Sequence, residues 1–340
     1  MSAFAARRTR ESLHGVVVRL AQTPPGRRQP GDSAVAENSN NAGRWAAGIV
    51  IANPGQVTPA FAQWVQRRAW PVLRVLHRPS LCGTENLPAQ GPFLLVANHS
   101  AGIGAAEIEC FIALYLQKVG AQRPLAGFAL PLSFRLWPSS WLLRQVGAIP
   151  STYEAARDAI GKGVPLLVFP GGDHETLRPL QEANRVDFGG RVGFLRIARE
   201  HGLAIVPMGI AGSHYTAPVL WRANWLATAL VLPRLFGQKR WGVTLLGALG
   251  ALAILAGVDA AWPLRAALAW AWLGTPFTLL PWIPWTIRMR IGAPIAASAL
   301  FAGGAADGTD AAWRSALATV EAAVQAQLDR ARQDGAGSCQ

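Results

Sequence analysis

The sequence is poor in lysine, in acidic residues and in cysteine, and each shortage narrows the class of protein. Only Lys118, Lys162 and Lys239 are lysines among 32 basic residues, and 19 acidic residues leave a net charge of +13. This arginine excess suits a negatively charged membrane surface, phosphate-bearing substrates or nucleic acid. No recognisable nucleic-acid-reading motif is present, so we expect no nucleic-acid partner. The three cysteines are too few and too widely spaced for a disulfide framework.

The N-terminal part of the chain lacks a long apolar run. Residues 1–45 have no hydrophobic periodicity, which predicts a flexible basic tail, and their apolar patch is too short for the core of a signal peptide. Residues 46–80 intersperse apolar residues and tryptophans with arginines. This pattern predicts an amphipathic helical region on a membrane surface, interrupted near Pro71. A helix that docks on its own domain fits the same pattern.

Short apolar segments then alternate with helical patterns. Over residues 81–233 this alternation predicts an α/β domain with a mixed sheet flanked by helices. Strands are expected to start near Phe93, Leu125, Val146, Val164 and Leu203. Helices are predicted over residues 151–161, which open on a capping box, and over residues 190–200. Residues 291–340 are predicted to complete the domain, with an amphipathic helix over about 311–332.

Residues 234–290 contain the long uncharged runs of the chain. Trp241 to Val258 has no charge over 18 residues and Ala266 to Trp285 has none over 20. Helices of these lengths reach about 27 to 30 Å, close to the hydrocarbon thickness of a bilayer. Basic flanks predict an apolar helical hairpin with both ends in the cytoplasm. Because prolines interrupt the second run, a re-entrant or interfacial membrane-inserted segment is the alternative.

Two apolar segments end in turns that carry chemistry. One delivers His99 into a flexible turn, and the other leads into a loop that begins at Pro170. Ligands bind at the carboxyl ends of strands in an open sheet, so we expect the two turns to form one site. Histidine, with a free pKa of about 6.5, can accept a proton from a hydroxyl near neutral pH. The Gly171-Gly172 pair can present backbone amides to an anionic or carbonyl oxygen.

Basic residues follow the second turn. Guanidinium groups match phosphate bidentately, so these side chains are candidates for holding a lipid headgroup or an acyl carrier. A solvated basic face explains the same pattern. The arginines are Arg178, Arg185 and Arg191. His174 and His214 follow strand ends and can line the cleft, but neither is predicted to be catalytic.

Several ordered motifs resemble those of the glycerolipid acyltransferases. They are residues 98–100, 146–150, 169–175 and 205–207. The resemblance covers about residues 70–220 and is closest to the bacterial branch related to diacylglycerol acyltransferases. That branch has Phe-Pro-Gly-Gly where lysophosphatidic acid acyltransferases usually have Phe-Pro-Glu-Gly. The resemblance implies acyl-CoA or acyl carrier protein as the donor, membrane lipids as partners, and neither a resident cofactor nor a metal.

The resemblance also assigns residues to the site. It implies that His99 is the catalytic base and that Glu175 helps to bind the acceptor. Further substrate contacts are expected from Asn98, Ser100, Gly171, Gly172 and Asp173, together with the arginines named above.

The acidic partner of the histidine departs from the commoner family pattern. That pattern has an aspartate five residues after the histidine, where this chain has Gly104. In the branch that this chain resembles, the acidic residue comes eight positions after the histidine, which here is Glu107. A straight helix would separate the two by about 12 Å, so the pairing requires residues 100–104 to turn back. Glu109 is the fallback, and an N-terminal helix charge favoured by the macrodipole is the structural alternative for Glu107.

These observations predict an acyltransferase of phospholipid and glycerolipid metabolism. It would move a fatty acyl group from an acyl thioester to a hydroxyl of a lysophospholipid or a diacylglycerol, with His99 as general base and Glu107 orienting it. We expect it at the inner (cytoplasmic) membrane, with the catalytic domain facing the cytoplasm. One alternative is a serine hydrolase or thioesterase that uses Ser100, although the Gly-x-Ser-x-Gly elbow is missing. The other is a lipid-binding protein that has lost catalysis, which Gly104 makes conceivable.

Overall fold

A computed structural model describes most of the chain. It covers residues 45–100, 102, 106–235, 237–301 and 309–334. Of the tail predicted over residues 1–45, only the last residue lies within these ranges. Gly104, which occupies the position of the usual aspartate, also lies outside the described residues.

The described residues form an α/β fold. The strands are β1 (Ser80–Cys82), β2 (Leu94–Ala97), β3 (Ala126–Ala129), β4 (Ile149–Pro150), β5 (Leu166–Val168), β6 (Ile205–Ala211), β7 (Val219–Ala223), β8 (Trp241–Thr244) and β9 (Arg288–Ile291). The helices before β6 are α1 (Pro59–Trp64), α2 (Trp70–His77), α3 (Ala106–Lys118), α4 (Ser139–Gln145), α5 (Tyr153–Gly161), α6 (Asp173–Thr176) and α7 (Gly193–His201). Those after it are α8 (Asn224–Ala229), α9 (Leu232–Leu235), α10 (Leu245–Gly257), α11 (Trp262–Gly274), α12 (Ala297–Leu300) and α13 (Asp310–Gln333).

Seven strands form one mixed sheet in the order β1-β9-β6-β2-β5-β3-β4. All neighbouring pairs are parallel except β6 and β9, which are antiparallel. The central strand β2 lies between β5 and β6, so the segments that follow β2 and β5 leave the sheet at the same edge. This topology confirms the predicted mixed sheet and brings the two predicted turns together.

The alternation of side chains along β2 explains the two layers of helices. Leu94 and Val96 face a core that α5, α7 and α13 cover, whereas Leu95 and Ala97 face a second core closed by α1, α2 and α3. All four side chains are fully buried. A strand that is buried on both faces reads as a continuous apolar run, which is why this segment stands out in the sequence.

Most predicted elements of the domain lie close to their expected positions, with one shift and several omissions. The strand expected near Val146 begins at Ile149, because Val146 caps α4 and Gly147 turns the chain with a φ of 62°. Strands β1, β7, β8 and β9 are additional to those that the sequence predicted. They are short, and their pairing depends on distant partners rather than on local pattern.

The helical region before the sheet is continuous through Pro71. A π-helical stretch over Val65–Ala69 joins α1 to α2, so the predicted interruption is a local change of helix type. Proline lacks a backbone N–H, and widening the helix beforehand accommodates it. Phe61, Val65 and Leu73 pack into the core, so this region does dock on its own domain.

The apolar segments between residues 241 and 285 form shorter helices than their uncharged lengths predicted. The first four residues of the first run form β8, and Thr244 caps α10 by accepting a hydrogen bond from the Gly247 N–H at 3.0 Å. The second run ends its helix at Gly274, before Pro276. Helices α10 and α11 have 13 residues each. None of the described helices has the length and apolar character that crossing a membrane requires, so the predicted spanning hairpin is not observed.

Candidate active site

Asn98 fixes the chain where β2 ends. Its side-chain amide donates to the Ile210 carbonyl at 2.9 Å, and its side-chain oxygen accepts from the Ile210 N–H at 2.7 Å. These bonds extend the contact of β2 with β6 by one residue beyond the ladder. The polar atoms of Asn98 are thus engaged within the fold and position the end of β2. Its expected contact with substrate stays a prediction.

His99 and Glu107 form a hydrogen-bonded pair at this edge. The Nδ1 atom of His99 lies 2.8 Å from Oε1 of Glu107, which also accepts the Ser100 N–H at 2.9 Å. A carboxylate accepts, so this contact assigns the hydrogen to Nδ1 and leaves the Nε2 lone pair available. Glu107 is fully buried in the first turn of α3, where the helix dipole favours its charge. Glu107, not Glu109, therefore lies beside the histidine.

The ring of Phe169, in the neighbouring loop, packs against the imidazole of His99. The rings of His99 and Phe169 have centroids 4.6 Å apart and planes inclined by 31°. Phe169 directly follows β5, so this contact joins the ends of two adjacent strands. The histidine side chain keeps 16% of its surface exposed, which leaves the ring accessible at the end of the sheet.

The loop after Phe169 closes tightly around a buried carboxyl group. A Cβ on Gly171 would lie 2.2 Å from Cγ of Glu175, and Gly172 has a φ of 45°. Both positions therefore require glycine, the first for space and the second for backbone conformation. The N–H of Gly172 donates to the Phe169 carbonyl at 3.2 Å, so one of the two amides expected to face substrate is used within the turn.

Glu175 ties the two turns together. Its Oε2 accepts the backbone N–H of His99 at 3.0 Å, and its Oε1 accepts the Asp187 N–H and a guanidinium N–H of Arg178, each at 3.3 Å. Burial raises the pKa of Glu175 to about 8, while Arg178 and the backbone donors act in the opposite direction. These contacts make the residue a support for the His99 backbone. Its predicted role in binding the acceptor stays a prediction.

The three arginines proposed from sequence have different surroundings. Arg178 is buried, with its Nη2 also bound to the Asp187 carbonyl at 3.0 Å, and its Nε and Nη1 have no partner among the described residues. Arg191 is hydrogen-bonded to Asp173 and to the Pro170 carbonyl, so it braces the loop together with that aspartate. Arg185 is exposed. The structure therefore brings Arg178 and Arg191 into the loop and leaves Arg185 at the surface.

Ser100 is enclosed rather than presented to a substrate. The residue is fully buried, and its hydroxyl forms a hydrogen bond with the hydroxyl of Ser213. Ser213 follows β6, and its role could not be read from any local motif. Next to it, His214 is buried, and burial together with the nearby Arg178 lowers its pKa to about 3.

An apolar cavity of about 140 Å³ extends from the site into the second core. Phe169 lines it on the side of the histidine. Its other walls come from α3, β3 and the end of α4, including Phe111, Leu125, Phe128 and Leu143. Arg123 is the charged residue in the lining, and it donates to the Pro88 carbonyl at 2.6 Å. The cavity therefore offers an almost wholly apolar space, and its wall includes Phe169, whose ring contacts His99.

Within the described ranges, no group of three or more His, Cys, Asp and Glu side chains is arranged to hold an ion.

Comparison with known proteins shows which family the fold and the site resemble. Residues 78–211 match the family model described as Acyltransferase. This range contains His99, Glu107 and the glycine loop. The α/β core over these residues is therefore similar to an acyltransferase domain, in agreement with the resemblance to the glycerolipid acyltransferases.

Individual relatives are distant. An uncharacterised protein of Mycobacterium leprae is 30% identical over 185 residues, which cover 54% of this chain and 48% of that protein. The human 2-acylglycerol O-acyltransferase 3 is 29% identical over 157 residues, covering 43% of this chain and 45% of that enzyme. This chain thus spans about half the length of these relatives. The crystal structure of the 1-acyl-sn-glycerophosphate (LPA) acyltransferase from Thermotoga maritima matches 81% of this chain and 80% of that one, with 17% identity and a TM-score of 0.45.

Proposed function

We propose that this protein transfers a fatty acyl group from an acyl thioester to the hydroxyl of a glycerolipid at the cytoplasmic membrane. The observation that carries the proposal is the 2.8 Å contact of His99 Nδ1 with buried Glu107, next to Phe169, which lines an apolar cavity. The match of residues 78–211 to the Acyltransferase family model supports the reaction class, and the activity for which the human relative is named supports an acylglycerol or related lipid as acceptor.

His99 is the proposed general base. Its Nε2 removes the proton from the acceptor hydroxyl, and the oxygen attacks the thioester carbonyl carbon to form a tetrahedral oxyanion. When this intermediate collapses, the C–S bond breaks and the protonated imidazole returns the proton to the leaving thiolate. Glu107 holds Nδ1 throughout and stabilises the positive charge that the ring carries between the two proton transfers.

The oxyanion needs a preorganised donor near the histidine. The Gly171 N–H is our candidate, because no hydrogen-bond acceptor for it exists among the described residues, whereas the Gly172 N–H is already bound to Phe169. The acyl chain is proposed to enter the apolar cavity, where burial of each methylene contributes about 0.8 kcal/mol. A chain seated there brings its thioester end to Phe169 and the ring stacked on it.

Membrane association is proposed through the segment that follows β6. Between residues 219 and 285 many large apolar side chains are exposed, among them Trp221, Trp225, Trp262, Leu264, Trp270, Phe277 and Trp282. Exposed basic residues, including Arg234 and Lys239, lie in the same segment. Tryptophan with nearby positive charge suits the headgroup region of a bilayer, and helices of 13 residues suit an interfacial insertion.

Two other functions fit the observations less well. A hydrolase with Ser100 as nucleophile requires an accessible hydroxyl, whereas this one is fully buried and bonded to Ser213. A lipid-binding protein without catalysis does not require a histidine hydrogen-bonded to a buried carboxyl group beside its cavity.

A thiol-release assay tests the proposal. Purified protein in detergent is incubated with acyl-CoA or acyl carrier protein loaded with a fatty acid, together with lysophospholipid, diacylglycerol or long-chain alcohol acceptors. We expect thiol release that depends on an acceptor, and a loss of roughly 100 to 10,000-fold in His99→Ala. Glu107→Gln keeps the shape of the side chain but removes its charge, so we expect a smaller loss, mainly in kcat.

Three controls separate the alternatives. His201→Ala replaces a histidine on the distant helix α7 and is expected to keep full activity. Ser100→Ala is expected to stay within about tenfold of the wild type, since a nucleophile would cost far more. Thiol release without any acceptor would instead indicate a thioesterase, and no release with either donor would indicate the non-catalytic lipid-binding protein.

A further inference from the structure

A second polar cluster faces the glycine loop from outside the matched domain. Strands β7 and β8 pair antiparallel, although α8 and α9 lie between them in the chain. Arg222 lies in β7 opposite Gly242, and Arg240 directly precedes β8. The strand pair therefore brings two arginines that are 18 positions apart to the same end of β8.

Both guanidinium groups converge on His174. Arg222 donates to the backbone carbonyl of His174, and Arg240 donates to its Nδ1. An Nδ1 that accepts requires the hydrogen on Nε2, which lies 3.1 Å from Oδ2 of Asp187. The histidine is therefore oriented between two cations and one carboxylate, one residue before Glu175.

The arginines surround a cleft of about 350 Å³. Its lining consists of His174, Arg222, Ala223, Asn224 and Arg240. Three of these five side chains are basic and a fourth is an amide. In the part of the chain that the structure describes, neither arginine forms an ion pair with a carboxylate.

Like charges held together in this way are unfavourable without an anion. Burial lowers the pKa of Arg222, and the positive charge of Arg240 lowers it further. Burial also lowers the pKa of His174, with both arginines acting in the same direction and Asp187 opposing them. A phosphate in the cleft would supply the missing negative charge and accept from the remaining guanidinium N–H groups.

We infer that Arg222, Arg240 and Asn224 form a phosphate-binding subsite that anchors a phosphorylated substrate beside the glycine loop. Both arginines lie beyond residues 78–211 and so outside the range that the family model matches. The inference rests on the proposed function for the identity of the substrate. The phosphate belongs either to the acceptor headgroup or to the nucleotide part of the acyl donor.

Binding of inorganic phosphate tests the subsite without any turnover. Thermal unfolding of the full chain is followed in a phosphate-free buffer while inorganic phosphate is added. We expect phosphate to raise the midpoint in the wild type and in Arg157→Gln, a surface arginine on α5 whose partner is Glu200. Arg222→Gln and Arg240→Gln are expected to weaken the apparent affinity about tenfold or more, since each removes a charge-assisted contact.

A second variant covers the case in which an arginine variant does not fold. Asn224→Asp places a carboxylate in the cleft, at an exposed position in the first turn of α8 where the helix dipole favours it. We expect this variant to fold and to lose the phosphate response, while Asn224→Ala keeps most of it. An unchanged response in Asn224→Asp and in both arginine variants would overturn the subsite.

Kinetics then identify the source of the phosphate. KM is compared for 1-acylglycerol 3-phosphate and 1-acylglycerol as acceptors, and for acyl-CoA and S-acyl-pantetheine as donors. An increase of about tenfold in Arg222→Gln restricted to the phosphorylated acceptor assigns the subsite to the headgroup, and one restricted to acyl-CoA assigns it to the donor. If the wild type transfers no acyl group but its phosphate response depends on the cleft, the proposed function fails and the subsite stands.

Discussion

The α/β core and the segment from residue 219 to 285 differ in the exposure of their apolar side chains. In the core, the central strands β2, β5 and β6 are buried on both faces, and helices cover each side. In the later segment, α10 and α11 pack on each other yet leave tryptophans and leucines exposed. In the core, apolar side chains are buried against one another. In the later segment, many apolar side chains are exposed, as is expected of a surface that binds a bilayer interface.

Buried and hydrogen-bonded charged groups lie in the core, whereas the helices of the later segment contain few charged residues. Around His99 the buried carboxyl groups of Glu107 and Glu175 have several donors at 2.8 to 3.3 Å. In the apolar segment, Arg265 is the charged residue of α11, and it closes the helical hairpin by donating to the Ala260 carbonyl at 2.7 Å. The candidate catalytic groups are therefore concentrated at the edge of the sheet. The later segment supplies an exposed apolar surface together with Arg222 and Arg240.

The largest expected effect that separates the two regions concerns membrane binding. We predict that Trp225→Ala, Trp262→Ala and Phe277→Ala combined lower partitioning into vesicles by on the order of 100-fold, because each removes a large exposed apolar surface. These side chains are 60%, 66% and 62% exposed, so their replacement leaves the core intact. Sedimentation with vesicles containing anionic lipid measures the partitioning.

The same triple variant should retain turnover on short-chain substrates dissolved in water. Tyr153→Ala is the control for partitioning, since Tyr153 is an exposed aromatic residue on α5. Equal partitioning of the triple variant and the wild type would show that these exposed side chains do not bind the membrane.

A smaller effect is expected from narrowing the apolar cavity. Gly127 lies on β3 and lines the cavity, and a Cβ at this position would meet no atom within 4 Å. Gly127→Leu should therefore fill part of the space and lower kcat/KM for long acyl donors relative to short ones by about tenfold, as the loss of one or two buried methylenes predicts. Competition between acyl-CoA donors of different length measures the ratio.

Gly161→Leu provides the matched control for this change. Gly161 ends α5, and a Cβ there would also meet nothing within 4 Å, but the residue does not line the cavity. An unchanged chain-length ratio in Gly127→Leu would show that the acyl chain binds elsewhere.

The sequence predicted the strands and helices of the core more accurately than the contacts within the site. Local sequence pattern determines the strands and helices, but it does not determine contacts between residues that are distant in the chain. The strands around β2 and the helices α5, α7 and α13 follow from periodicity and caps, and each lies within a few residues of its predicted position. The glycine loop was correctly placed beside His99 because parallel strands end at one edge. Its internal bonds, such as that of Arg191 to Asp173, depend on a return of the chain that no local signal specifies.

Contacts from distant parts of the chain could not be predicted for the same physical reason. Ser213 reaches Ser100 across 113 positions, and Arg240 reaches His174 across 66. The apolar runs after residue 241 were interpreted by length, yet Thr244 and Pro276 set the actual helix limits. Uncharged length alone does not show where strand pairing or a proline ends a helix.

The smallest expected effect concerns His214, which lies where the core meets the later segment. Its pKa is lowered to about 3 by burial, whereas an unfolded chain protonates histidine near its ordinary pKa of about 6.5. Between these values the unfolded state binds more protons, so the contribution of His214 to stability is present above about pH 6.5 and is lost as the pH falls. The expected slope is about 1.4 kcal/mol per pH unit.

Urea unfolding between pH 6 and pH 4.5 measures this contribution as a difference between variants. Glu175, with a pKa raised to about 8, has the opposite sign, because its stabilising protonated form is lost as the pH rises. Comparing His214→Gln with the wild type cancels that shared contribution. The unfolding free energy of the variant should fall less steeply with decreasing pH, while the surface variant His201→Gln should follow the wild type. Parallel curves for His214→Gln and the wild type would show that His214 is protonated in the folded protein, which its buried position between β6 and the later segment makes costly.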